Sequence, residues 1–125
     1  MAALLALKAK SPAHQMRITE PMAAELGIRD AIHTGRAYFI GGYFVMYDVG
    51  KPWYSDQRLL IEDIILKVYK DSSVSVQDAI ASLTTLAKLK GCAAVVSGDT
   101  QVGYMSPHYV SAGFVYIGNQ FFKEL

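Results

Sequence analysis

A single cysteine, Cys92, carries all the thiol chemistry of this 125-residue chain. No internal disulfide can form, so the chain suits a reducing compartment and is expected to be cytoplasmic. Cys92 reads as a small buried apolar residue beside Ala93 and Ala94. Charge of one sign is equally scarce. Twelve Lys and Arg oppose eleven Asp and Glu for a net charge of +1, with the basic residues scattered. That leaves no electrostatic footprint for duplex nucleic acid. His14, His33 and His108 lack metal-ligand spacing, so no metal site is expected. Nor does any stretch approach the ~20 apolar residues of a membrane-spanning helix. In the opening MAALLALKAK the lysines follow the apolar part, the reverse of a secretory leader. A soluble protein that does not engage a membrane is expected.

What is present is apolar and aromatic. Hydrophobic residues make up 52% and charged residues 18%, the composition of a folded globule. The length fits one domain over 1–125. Residues 1–34 are rich in Ala, Leu and Met, with Pro12 and Pro21 where helices would start. One or two amphipathic helices are predicted there, the second near Pro21–Ala31. RAYFIGGYFVMYD, from Arg36, is dense in strand-forming residues, with Gly41–Gly42 as a bulge or bend. DVGKPW is a turn by composition, and RLLIEDIILKVY reads as a long central strand covered on both faces. Eight tyrosines, five phenylalanines and Trp53 are many for this length. A surplus exposed on one face would mark a partner surface, including that of a homodimer.

Val76, Ala79, Ile80, Leu83, Leu86, Ala87 and Leu89 then recur at three- and four-residue steps, which makes one apolar helix face. Ser75 with Asp78 resembles a capping pair, and Lys88, Lys90 and Gly91 supply a basic last turn and a stop. CAAVVSG follows as a short buried strand. SPHYVSAG reads as a short helix with Ser106 as cap and Pro107 first, and FVYIGNQFFKEL as a hairpin turning at Gly118–Asn119. Two strands joined by such a helix should be parallel with a right-handed crossover, inside an otherwise antiparallel sheet. Leu60–Val68 and Ala93–Ser97 are the expected pair.

Element order and local residues together resemble the GNAT superfamily of acyl-CoA-dependent N-acyltransferases over about Leu59 to Leu125. EDIILKV supplies Glu62, Leu66 and Val68 of that family's E-x-x-x-L-x-V strand. KDSSVS places Lys70, Ser73 and Ser75 on the spacing of its R/Q-x-x-G-x-G/A loop, and Gly91 follows at about the helix length of the family. HYVSAGF is similar to its F-Y-x-x-x-G-F signature, with Tyr109, Gly113 and Phe114 in step. The chain departs from the pattern in four ways: serines replace both loop glycines, the loop arrives sooner after the strand than is usual, Lys70 replaces Arg or Gln, and no first strand is recognisable in MAALLALKAK. The resemblance implies an α/β (α+β) GNAT-like fold with a mixed, mostly antiparallel sheet and one parallel pair.

It also implies acetyl-CoA as co-substrate and direct acetyl transfer to the amine of a small molecule or protein. Pyrophosphate would be held by backbone N–H groups of Ser73, Val74, Ser75, Val76 and Gln77 at a helix N-terminus, with Lys70 nearby. Serine narrows such a cradle relative to glycine, and Ser75 as a plain helix cap is explained without any ligand. The pantetheine arm would pair with backbone near Leu66, Lys67 and Val68. Glu62 matches the family's general base, whereas Asp63 points to the other face of the strand. Either carboxylate could equally pair with Arg58 or Lys67. Tyr109 matches the acid that protonates the departing thiolate, and is equally explained as a core residue with one wet edge. The rival expectation is a GNAT-like scaffold of viral origin that has lost acyl transfer and serves as a binding or structural protein.

Overall fold

The computed structural model describes residues 21–98, 105–118, 121, 123 and 125. The helix expected before Pro21 lies outside them. The elements run α1 (Pro21–His33), β1 (Ala37–Ile40), β2 (Tyr43–Gly50), β3 (Leu59–Lys67), α2 (Val76–Leu89), β4 (Ala94–Val96) and α3 (Ser106–Ser111). The four strands form one sheet in the order β1-β2-β3-β4. The first two pairings are antiparallel, and β3 with β4 is parallel. This is the mixed α/β architecture expected from the sequence, with α2 as the crossover between the parallel pair.

Gly41 and Gly42 are the bend, a tight turn between β1 and β2. Gly41 sits at φ +56, a left-handed conformation that side chains disfavour. At Gly42 the reason is space, since a Cβ there would fall 1.9 Å from the Tyr69 carbonyl oxygen. The Gly42 carbonyl accepts from the N–H groups of Val68 and Tyr69, at 2.8 and 3.4 Å. The turn therefore braces the chain where it leaves β3.

Between β2 and β3, Met46 faces Ile64 while Tyr47 faces Glu62, so Asp63 is an extra residue in β3. Such a bulge restarts the alternation of side chains. Leu60 and Ile65, an odd number of positions apart, consequently share the core with Val45 and Tyr47 of β2. Ala79, Ile80, Leu83 and Ala87 of α2 pack on them, and Met105 and Tyr109 close the cluster. These four positions, with Val76 and Leu86 packed against the cluster, belong to the apolar stripe predicted from spacing, whereas Leu89, also expected in it, is 80% exposed.

Both ends of α2 are closed by local chemistry. The Ser75 hydroxyl accepts from the Asp78 N–H, and the Asp78 carboxylate accepts from the Ser75 N–H, a complete capping box. At the far end Gly91 adopts φ +69, its N–H donates to Lys88, and Cys92 N–H donates to Ala87. That is the paired hydrogen-bond pattern of a glycine-terminated helix.

Three expectations are corrected. Ser106 is the first residue of α3 rather than its cap: the cap is Met105, whose side chain is buried in the core and whose carbonyl accepts from His108 and Tyr109. Core anchoring, not serine capping, sets where this helix begins. β4 is not buried, because Ala94 is exposed and Val95 and Val96 are half-buried, and no described strand pairs with its far edge. The first arm of the expected terminal hairpin, Phe114–Gly118, is not a strand. Its turn residue Asn119 lies outside the described residues.

Candidate functional site

β3 is nine residues long, yet only Leu59, Leu60 and Ile61 pair with β4. From Glu62 to Lys67, among the described residues, its β4-facing edge has no strand beside it. The two strands part at the bulge, and there the chain brings a carboxylate and a phenol together. The buried Tyr109 phenol donates to both oxygens of the half-buried Glu62 carboxylate, each at 2.7 Å. Core packing brings these residues together from 47 positions apart. Met105 and Tyr109 anchor α3 against α2, and the Tyr109 ring lies on Phe114 at 5.4 Å.

Asp63, one residue on, meets a different neighbourhood. Arg36 holds Asp48 at 2.7 Å with one guanidinium nitrogen and Asp30 at 2.7 Å with another. Burial pushes the Asp63 carboxyl up to about 7, reinforced by a shared hydrogen bond with Asp48 and partly offset by Arg36. One edge of Asp63 stays open to solvent. Asp48 is held below the ordinary carboxylate range by hydrogen bonds from Asp63 and then Arg36. The pair thus holds one proton in common near neutrality. Arg58 and Lys67 serve elsewhere: Arg58 donates to the Lys90 carbonyl at 3.2 Å, and the Lys67 ammonium lies over the Tyr43 ring.

The serine loop satisfies part of its own backbone. Both the N–H and the hydroxyl of Ser73 donate to the Asp71 carboxylate, which these bonds hold below its usual range. Ser75 N–H is taken by Asp78. Among the described residues, the N–H groups of Val74, Val76 and Gln77 have no comparable partner. Lys70 is exposed on the same loop. Of the three backbone positions at the end of β3, Val68 is engaged by Gly42, and Leu66 faces Phe44 of β2. By alternation, Lys67 faces the open edge. So the structure brings Glu62 and Tyr109 together, and it bonds the N–H groups of Ser73, Ser75 and Val68 to partners within the chain.

Sequence reasoning misses Asp71, Asp48 and the side chain of Gln77. For Asp71 there is a local signal, an aspartate two residues before a serine, which favours a side-chain-to-backbone turn. For Asp48 there is none, since its meeting with Asp63 depends on the bulge. The Gln77 side-chain amide donates to the His108 carbonyl at 3.1 Å and lies 3.4 Å from the His108 Nδ1, linking α2 to α3. Among the described residues no cluster of three or more His, Cys, Asp or Glu is arranged to hold a metal ion. No helix there is long and apolar enough to cross a membrane.

No protein-family model matches the chain, and no curated protein matches it. Among solved structures it is similar to the crystal structure of a probable acetyltransferase. The TM-score is 0.54 and the identity 13%, over 99% of this chain and 88% of the other. At that identity the likeness is one of fold.

Proposed function

We propose that the protein is a GNAT-type N-acyltransferase of the cytoplasm, moving an acetyl group from acetyl-CoA to the amine of a small molecule or protein by direct attack. The observation that carries this reading is the Glu62–Tyr109 pair, placed where β3 parts from β4. An open strand edge suits an extended amide-bearing arm, which can pair with backbone groups such as those of Lys67. Val74, Val76 and Gln77 supply N–H donors at a helix N-terminus for a pyrophosphate. The fold shared with a probable acetyltransferase agrees with this.

In the proposed reaction the amine nitrogen attacks the thioester carbonyl, the N–C bond forms and the C–S bond breaks. Glu62 takes the proton lost by the amine, and Tyr109 gives its proton to the departing sulfur. The hydrogen bond between them then returns a proton from Glu62 to Tyr109, so the pair ends as it began. Replacing Glu62 by Gln should lower kcat by about 10²- to 10⁴-fold, the usual worth of a positioned base, with acetyl-CoA affinity retained. Steady-state rates combined with calorimetry test this. An E62Q enzyme of undiminished kcat would remove Glu62 as the base.

One observation favours a second reading, a GNAT-like scaffold without transfer activity. Asp71 places a carboxylate on the Ser73 donors that a phosphate would use, and an anion approaching the loop meets that charge. Asp71→Asn separates the two readings. If acetyl-CoA binding tightens, the loop is an anion cradle under competition; if neither form binds, the scaffold stands.

A further inference from the structure

The strongest unassigned feature is the link between the two halves of the site. α3 has six residues, too few to hold a helix in place by its own hydrogen bonds. The direction of the Tyr109 phenol is therefore set by whatever holds α3 from outside. Met105 and Tyr109 bury into the core, but apolar packing leaves rotation of a short helix weakly determined. Directional contacts from outside the helix include the phenol on Glu62 and the Gln77 amide on His108.

The His108 carbonyl belongs to the peptide bond that enters Tyr109, so Gln77 grips the unit carrying the phenol. The same carbonyl accepts from Ala112 N–H at 3.1 Å, which ties the grip into the helix itself. Successive helical residues diverge by roughly 100°. His108 can thus meet α2 while Tyr109 turns into the core toward Glu62. Gln77 stands in the first turn of α2. Its backbone N–H belongs to the loop and its side chain to α3, so one residue joins both.

We infer that Gln77 is a positioning residue for Tyr109, coupling order at the serine loop to alignment of the phenol. The claim rests on the acyl-transfer reading, and its test is arranged so that the two can fail separately. Gln77→Ala keeps the backbone donor and removes only the grip. It should lower kcat by about 5- to 50-fold, on the cost of slightly misplacing a reacting group. KM for acetyl-CoA should stay within about twofold of the wild type. In a Tyr109→Phe background the same substitution should cost less than about twofold, because the group it aims is gone. An equal loss of kcat in both backgrounds overturns the inference.

Hydrogen exchange read by NMR provides a measure independent of turnover. The Ala112 and Phe114 amides, which donate to the His108 and Tyr109 carbonyls, should exchange faster in Q77A while those of α2 hold their protection. Unchanged exchange in α3 overturns the inference even if kcat falls. If the wild type transfers no acetyl group, the acyl-transfer reading fails by itself, and the exchange comparison still decides the role of Gln77.

Discussion

Tyr109 is buried, packed and hydrogen-bonded at once, so its replacement has two separable effects. Tyr109→Phe keeps the ring and removes a phenol donating to a carboxylate, a loss of about 1.5–3 kcal/mol in stability if Glu62 finds no other donor. On the proposed chemistry it also lowers kcat by roughly ten- to a thousand-fold with acetyl-CoA binding nearly unchanged. Melting curves and kinetics read the two effects apart. A loss of binding equal to the loss of turnover would assign Tyr109 to packing alone. Asp63 supports a prediction with a definite sign. Its folded pKa of about 7 lies above the ordinary 3.8, so the native state holds a proton that the unfolded chain releases. Stability from that proton is complete below about pH 4 and is lost as pH rises through 7. Solvent screening reduces the size of the effect, because Asp63 is partly exposed. Asp48 shifts the other way, but its window lies below pH 4. Asp63→Asn should therefore raise Tm most at pH 8, less at pH 5 where the loss has begun, and least below about pH 4; an equal change at pH 8 and pH 4 would refute the shared proton. Glu62 and Tyr109 are legible in the sequence because each sits in a recognisable motif. Their contact is not, since it depends on the bulge and on the packing of α3. Asp71 and Gln77 stay hidden for a similar reason: what each side chain bonds to is decided by folded geometry.

Elements whose ends are fixed by local chemistry are the ones readable in advance. α2 has its capping box, its apolar stripe and its terminating glycine within one stretch of chain, and it forms within a residue of where the spacing puts it. Ser75→Ala should cost about 1 kcal/mol, the common worth of such a cap, measured by chemical denaturation. The β1–β2 turn was readable as a bend, but the need for glycine at position 42 was not, because its neighbour is the Tyr69 carbonyl from another part of the chain. Gly42→Ala should fold far less stably than Gly27→Ala, where a Cβ meets nothing within 4 Å. Comparable melting temperatures for the two would mean the turn yields more easily than its contacts imply. Elements fixed by tertiary anchors were misjudged by a residue or more. α3 starts where Met105 reaches the core, and β4 leaves Ala94 exposed with Val95 and Val96 half-buried.

At the scale of the whole molecule, alternation and crossover rules fix more than any one motif does. A fourteen-residue helix between two apolar runs makes those runs parallel neighbours, and the sheet order follows. The fold is therefore legible in the sequence, and fold is what the chain shares with a probable acetyltransferase at 13% identity. Function is less so, because it depends on whether one open strand edge and three loop amides can hold a cofactor beside the Asp71 carboxylate. Calorimetric titration of the wild-type chain with acetyl-CoA addresses this directly. Acyl transfer predicts saturable heat with one site per chain, a Kd between about 1 µM and 1 mM in line with ordinary enzyme substrates, and a Tm that rises with ligand concentration. The absence of both heat and thermal shift at millimolar acetyl-CoA would contradict it and leave the inactive scaffold as the better description.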